Sequence, residues 1–227
     1  MRGARLGLLG GTFDPVHLGH LDAADAAIAA LGIDEVVLVP AHDQPLRLVE
    51  PRATVYQRFA LAVLGVEDRP ECRVSDIELL RQGRSYTADT LHAFHSSGWR
   101  ASQLFFILGS DAFAGIAAWH GYPSFLDLAH FVVIARPGVT IEEATARSPE
   151  LTVRMCPAPR EQVATDGHTR IFLVHAHTRD VSSTMIRERL ASGQPIDGLV
   201  PPAVARHIHK HHLYGAVDSL HGEDQRI

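Results

Sequence analysis

Residues 6–20 read LGLLGGTFDPVHLGH, which is an apolar run followed by two glycines and a segment with two histidines. Its apolar run, Leu6–Leu9, ends in Gly10-Gly11, which is typical of a buried strand that runs into a glycine turn. The alanine-rich residues 18–31 carry apolar side chains at helical spacing, and the apolar run Val36–Val39 follows them. A strand–helix–strand unit of this kind predicts a parallel sheet.

The same alternation continues to the C-terminal part of the chain. Further apolar runs predict strands at 73–74, 104–108, 131–134 and 171–174, and helical patterns lie at 54–64, 87–94 and 183–192. Together they predict an α/β fold, a doubly wound, Rossmann-like parallel sheet with helices on both faces.

Two further segments are expected to lack regular structure. We expect residues 139–168, which are rich in Pro, Thr and Glu, to form an irregular loop. Residues 1–214 show no break in composition and are expected to form a single domain. The polar residues 215–227 are expected to be a frayed tail.

Composition excludes several classes of protein. The net charge of −5 argues against a nucleic-acid partner, which usually needs a basic face. The two cysteines, Cys72 and Cys156, are far apart, which argues against a disulfide framework and suits a reducing compartment. No apolar run approaches the roughly 18 residues of a membrane span, so we expect no membrane partner and a cytoplasmic protein. The sequence leaves the oligomeric state open, a homo-oligomer included.

The glycine turn after the first strand is a candidate phosphate site. Ligands of an open parallel sheet sit beyond the carboxyl ends of its strands, where Gly10 and Gly11 lie, and a helix N-terminus favours an anion. His17 and His20, three residues apart on a helical turn, can face the same ligand. A plain turn, two surface histidines or two metal ligands without an obvious third remain open alternatives. The dinucleotide fingerprint and the P-loop pattern are both absent.

The segment GGTFDPVHLGH at 10–20 resembles the T-F-D-P-x-H-x-G-H motif of the nucleotidyltransferase superfamily. The resemblance implies that the chain binds ATP and that His17 and His20 contact its phosphates. It further implies that the nucleotide is bordered by the backbone of Gly10, Gly11, Thr12 and Phe13.

A second segment, SSTMIR at 182–187, resembles the superfamily motif S-S-T-x-I-R. From the residues alone, Ser182 or Ser183 is a helix cap. The resemblance implies that Ser182, Ser183, Thr184 and Arg187 hold the outgoing pyrophosphate, and a helix N-terminus beside an arginine suits a polyanion.

The turn after the strand at 104–108 reads Gly109-Ser110-Asp111. Asp111 can cap the following helix, or Gly109 and Asp111 can meet the ribose or adenine of ATP, as the resemblance implies. Both interpretations stay open.

Three further stretches resemble the nicotinate-mononucleotide adenylyltransferases: SYTADTL at 85–91, Trp119, and AHF at 129–131 leading to RPG at 136–138. The resemblance implies that the indole of Trp119 stacks on a pyridine ring. It implies that a carboxylate is held by Thr87 and by the backbone N–H groups of Tyr86 and His120, and that Arg136 contacts substrate. A core position for Trp119 and an ordinary helix start at Tyr86-Thr87 are the alternatives.

One stretch departs from this family. Where the family commonly has P-P-H-K, residues 44–47 read QPLR, so that Leu46 stands in place of the histidine and Arg47 in place of the lysine. Arg47 can still bind a phosphate. The departure affects the predicted binding of the mononucleotide phosphate, but it does not change the predicted class of reaction.

The implied reaction joins ATP and nicotinate mononucleotide, giving deamido-NAD and pyrophosphate. Mg²⁺ is expected to bridge the ATP phosphates, with no metal ligand from the protein. The alternatives to nicotinate mononucleotide as the acceptor are nicotinamide mononucleotide and pantetheine phosphate. A further alternative is that the chain is a cytidylyltransferase. A different class of protein, a non-catalytic metal-binding module, is suggested by the histidines of 207–212, which otherwise lie on a solvated terminal helix.

Overall fold

Seven strands form one parallel sheet in the computed structural model, which describes residues 3–46, 49–158 and 168–216. Within these residues the strands are β1 (Leu6–Gly11), β2 (Glu35–Pro40), β3 (Cys72–Val74), β4 (Leu104–Gly109), β5 (His130–Ile134), β6 (Met155–Pro157) and β7 (Ile171–Val174). Their spatial order is β3-β2-β1-β4-β5-β7-β6. The strands β2 and β3 therefore lie on one side of β1, and the strands β4 to β7 lie on its other side.

Helices cover both faces of the sheet. Those of the described residues are α1 (Leu18–Leu31), α2 (Val55–Gly65), α3 (Ile77–Arg81), α4 (Thr87–Ser96), α5 (Ser110–Phe113), α6 (Ile141–Thr145), α7 (Ser183–Ala191) and α8 (Pro202–Lys210). The doubly wound fold is thus confirmed. None of these helices is long and apolar enough to cross a membrane.

Side chains alternate along each strand between the two faces of the sheet, so that the core consists of one cluster on each face. In β1, Leu9 packs in the cluster that contains α1, whereas Leu6 and Leu8 pack in the cluster that contains α4. Leu21 and Leu31 of α1 are 1% and 0% exposed because they lie on the side of the helix that packs in the core, whereas Ala29 is exposed. Strands buried on both sides are continuous apolar runs, which is why the sequence shows them so plainly.

The expectation of an irregular loop at 139–168 is wrong for most of its described part. Residues 141–145 form α6, residues 149–154 form a 3₁₀ turn, and β6 pairs in parallel with β7 at the edge of the sheet. Thr140 and Glu143 cap α6, since the backbone N–H of each bonds the side chain of the other. Residues 159–167 of the expected loop lie outside the described residues.

The start of the expected tail also needs correction. Gly215 ends a 3₁₀ turn, and Ala216 is 5% exposed and packs in the core cluster of α1. The fold therefore extends to Ala216. Residues 217–227 lie outside the described residues.

Candidate active site

A cleft opens at the carboxyl ends of β1 and β4, the neighbouring strands between which the strand order reverses. Such a reversal leaves a crevice that ligands of doubly wound sheets occupy. The cleft has an inner cavity of about 180 Å³ and an outer cavity of about 550 Å³. The two cavities share Gln44, Ser85, Thr87, Asp111, Ala112 and Trp119.

His17 and His20 stand together at the start of α1. His17 is the N-cap residue, and its backbone N–H donates to Nδ1 of His20 at 3.2 Å. A side chain at Gly19 would place its Cβ 3.2 Å from Nδ1 of His17 and 3.1 Å from Cγ1 of Val181. The absence of a side chain at Gly19 therefore lets the pair fit against the segment that leads to α7.

Both imidazoles are in environments that favour the neutral form. Burial, and secondarily the charge of Arg136, lowers the pKa of His17 to about 3. Burial, followed by His17 and Arg136, lowers the pKa of His20 well below its ordinary value. Each ring therefore offers one N–H donor at neutral pH.

The glycine turn forms the floor of the inner cavity. Gly10 and Gly11 both line the cavity, and a Cβ on Gly11 would lie 2.9 Å from the ring of Phe13. Phe13 has a φ of 51°, and its ring is buried beneath the turn against the edge of His20. The side chain of Phe13 therefore supports the turn, while the backbone of the turn faces the cleft.

A buried arginine that the sequence analysis missed holds this turn. Arg58 of α2 is 1% exposed, and its Nη1 donates to the carbonyl oxygens of Thr12 and Ala41, both at 2.7 Å. Its Nη2 donates to the carbonyl oxygen of His42 at 3.1 Å. The available signal was a charged residue on the inner face of a predicted helix.

The segments 10–20 and 182–187 meet in the structure. Ser182 caps α7 by accepting from the backbone N–H of Met185 at 3.1 Å, which confirms the capping interpretation. The hydroxyl of Ser183 donates to the carbonyl oxygen of Pro15 at 2.8 Å. α7 thereby begins directly against the first motif.

Arg187 completes the junction of the motifs. Its Nη2 donates to the hydroxyl of Thr184 at 3.0 Å, and its Nη1 donates to the carbonyl oxygen of Asp14 at 2.7 Å. The guanidinium is thus oriented before any nucleotide binds.

Asp14, which the sequence analysis did not single out, is fully buried at the same junction. Its carboxylate accepts from the backbone N–H groups of Arg52 and Ala53, at 2.9 and 3.0 Å. It also accepts from the hydroxyl of Tyr214 at 3.0 Å and lies 3.7 Å from Nη1 of Arg187. Burial and the charge of Asp14 raise the pKa of Tyr214, so this phenol is a hydrogen-bond donor at neutral pH.

The turn after β4 puts Asp111 in the cleft. Gly109 is the N-cap of α5 and Asp111 lies in the first turn without a capping bond, so the interpretation of Asp111 as the cap is wrong. The Asp111 carboxylate is 4.0 Å from Nη1 of Arg136. Nη2 of Arg136 donates to the carbonyl oxygen of Val181 at 3.3 Å, which joins this wall to the second motif.

Aromatic side chains form the wall of the outer cavity. The rings of Tyr86 and His120 have centroids 4.3 Å apart. Trp119 packs in parallel on Phe125, with centroids 6.0 Å apart, and lines both cavities. It is therefore both a core contact and a cleft residue.

Thr87 and Leu46 also line the outer cavity. Thr87 begins α4, which confirms the predicted helix start, and it lines the inner cavity as well. Leu46 is 56% exposed and lines the outer cavity. Arg47 lies outside the described residues.

The histidines of 207–212 do not form a metal cluster in the described part of the chain. His207 and His211 have ring centroids 4.2 Å apart on the C-terminal helix, but nowhere in residues 3–46, 49–158 and 168–216 do three metal-binding side chains converge. α8 buries Ala203, Val204 and Ile208 in the core, so this helix is amphipathic and only partly solvated.

Comparisons with known proteins agree with this geometry. Residues 8–189 match the family described as cytidylyltransferase-like. A probable nicotinate-nucleotide adenylyltransferase of Roseiflexus sp. is 41% identical over 214 residues, covering 94% of this chain and 100% of the relative. A protein of the same description from Pectobacterium atrosepticum is 39% identical, covering 90% of this chain and 96% of the relative.

Solved structures share the fold. Plasmodium falciparum nicotinic acid mononucleotide adenylyltransferase complexed with APC superposes with a TM-score of 0.69 at 16% identity. The match covers 95% of this chain and 99% of that one. The same Plasmodium enzyme complexed with NaAD gives a TM-score of 0.68.

Proposed function

We propose, from the premise that the chain belongs to the nicotinate-nucleotide adenylyltransferases of the cytidylyltransferase-like family, that it joins ATP and nicotinate mononucleotide to give deamido-NAD and pyrophosphate. One observation carries the proposal. A single cleft is lined by Gly10, Gly11 and His20 of the first motif at its inner end and by an aromatic wall at its outer end, and the second motif begins against the first where Ser183 bonds Pro15. Two substrates can therefore meet at the turn that follows β1.

In the proposed reaction an oxygen of the mononucleotide phosphate attacks the α-phosphorus of ATP. A new P–O bond forms, the bond from the α-phosphorus to the bridging oxygen breaks, and pyrophosphate leaves. The nucleophile is already anionic at neutral pH, so no general base is required. The chain has to align two polyanions and offset their charge, as in other phosphoryl transfers.

The inner end of the cleft suits the triphosphate. Neutral His17 and His20 can donate N–H bonds that strengthen as charge develops on the phosphates. Arg187, Ser183 and Thr184, at the N-terminus of α7, can hold the leaving pyrophosphate. The backbone from Gly10 to Phe13 and the turn at Gly109 and Asp111 would border the rest of the nucleotide.

The outer end suits the pyridine nucleotide. The face of Trp119 that is not packed on Phe125 can stack on a planar ring. Thr87 and the backbone N–H groups of Tyr86 and His120 are proposed to hold the ring carboxylate, with Arg136 between the two substrates.

Mg²⁺ is proposed to be held by the ATP phosphates and water, because the carboxylates that line the inner cavity are those of Glu78 and Asp111, and nowhere in the described residues do three metal-binding side chains converge. When bound, the ion supplies charge neutralisation at the phosphates. A cytoplasmic location stays a prediction of the sequence, and the oligomeric state stays open.

Pyrophosphate release measured with ATP and Mg²⁺ tests the proposal. The acceptors compared are nicotinate mononucleotide, nicotinamide mononucleotide and phosphopantetheine. We expect release with nicotinate mononucleotide, together with a dinucleotide product by chromatography. Release with phosphopantetheine alone, or with none of the three, would reject the proposed acceptor.

A further inference from the structure

Glu78, on α3, is a buried carboxylate in the wall of the inner cavity. It is 7% exposed and lines the cavity together with Thr87 and Trp119. A buried carboxylate is costly unless other groups satisfy it. Glu78 lies beside the proposed acceptor pocket, and that pocket has to receive a substrate with a carboxylate of its own. The presence of a second carboxylate there needs a physical explanation.

Hydroxyl groups and an arginine satisfy the Glu78 carboxylate. The hydroxyl of Thr90 in α4 donates to its Oε1, and the Ser85 side chain is a second hydrogen-bond partner. Nη2 of Arg81 lies 3.8 Å from Oε1 and also donates to the hydroxyl of Thr90 at 3.3 Å. These contacts bring the carboxylate to the base of the turn that leads into α4.

Ser85 extends this arrangement to the end of β2. Its Oγ accepts from the backbone N–H of His42 at 2.9 Å, and its own backbone N–H donates to the carbonyl oxygen of Asp43 at 2.7 Å. The carbonyl oxygen of His42 in turn accepts from Arg58, the residue that holds the phosphate turn. A continuous set of hydrogen bonds thus runs from Arg58 through His42 and Ser85 to Glu78.

We propose that Glu78 is a positioning residue of the acceptor pocket. By accepting from Ser85 and Thr90 it holds the Ser85–Thr87 turn in register with the end of β2, so that Tyr86 and Thr87 present their donors to the acceptor carboxylate. Arg81 and the two hydroxyls offset the charge of Glu78 locally, which keeps it from opposing the charge of the acceptor. This role rests on the proposed function.

Steady-state kinetics of E78Q test the role. The side chain keeps its shape, but one acceptor oxygen becomes an NH₂ donor that faces a hydroxyl or Arg81. We expect the KM for nicotinate mononucleotide to rise about 10-fold, the scale of one lost hydrogen bond to a charged group, and the KM for ATP to stay within about 2-fold. The matched control is D76N, which removes the same charge from the exposed residue at the N-cap of α3, whose side chain makes no capping bond.

A double-mutant cycle with S85A separates positioning from a merely structural role. If Glu78 acts through Ser85, E78Q and E78Q/S85A should have nearly equal KM values for the mononucleotide. S85A alone tests the same pathway if E78Q fails to fold, and it should raise that KM selectively.

Four results obtained with an active wild type would overturn the role. They are unchanged kinetics of E78Q, equal increases in both KM values, a fall in kcat with both KM values unchanged, and additive effects of the two substitutions. The activity of the wild-type protein distinguishes a failure of this role from a failure of the proposed function. An inactive wild type would reject both, whereas an active wild type with an unchanged KM in E78Q would reject only the role of Glu78.

Discussion

The imidazole rings of His17 and His20 are stacked, with centroids 3.6 Å apart and planes 26° from parallel. Two protonated rings at this distance would repel each other, and the nearby guanidinium of Arg136 opposes protonation of either. The stacking therefore depends on the rings being neutral. Neutral rings would bind the phosphates of ATP, as proposed, as N–H donors and not as cations.

The free energy of unfolding at acidic pH should depend on this pair of histidines. The pKa of His17 is about 3 in the folded chain, against an ordinary 6.5, so between these values the unfolded chain binds more protons. The free energy of unfolding should then fall as the pH is lowered from about 6.5 towards 3. Urea unfolding at several pH values should show a shallower fall for His17→Asn. Parallel curves for variant and wild type would contradict the low pKa.

Replacing His17 should impair turnover. His17→Ala removes one preorganised donor, and we expect kcat to fall by roughly 10²–10³. His211→Ala, on the exposed end of the C-terminal helix region, is the matched control and should leave kcat unchanged. A folded His17→Ala enzyme with near-normal kcat would exclude His17 from the catalytic residues.

Trp119 should matter for the acceptor and little for ATP. Trp119→Ala removes the proposed stacking face, so the KM for nicotinate mononucleotide should rise while the KM for ATP stays constant. Trp119→Phe keeps an aromatic face and should have the smaller effect. Equal damage to both constants would mean that the packing of Trp119 on Phe125 is what matters.

Tyr214 should contribute to ATP binding from outside the cleft. Tyr214→Phe removes the hydroxyl that donates to the buried Asp14 carboxylate, beside the contact of Arg187 with the Asp14 carbonyl. We expect a loss of about 1 kcal/mol in the free energy of unfolding, the usual scale for one hydrogen bond, and a higher KM for ATP. The control is Tyr56→Phe, because Tyr56 is 76% exposed. If both variants behave alike, Tyr214 does not support the ATP site.

Local pattern explains most of what could be predicted. The strands β1, β2, β4, β5 and β7 are continuous apolar runs because they are buried on both faces. Among the short elements, β6 and α6 were missed, since their three and five residues are too few for a clear period, whereas β3, also of three residues, was predicted at 73–74. Only the capping box of Thr140 and Glu143 signalled α6, and it was present in the sequence.

The longer strands and helices and the two motif segments could be predicted from the sequence, because burial periodicity and turn chemistry act over a few residues. Tertiary structure alone decided the partners of the site. Asp14 and Tyr214 are 200 residues apart in the chain, and Arg58 and Glu78 bond atoms that no local pattern connects with them. Such hydrogen bonds depend on where packed elements bring their polar atoms together, so no spacing along the chain encodes them.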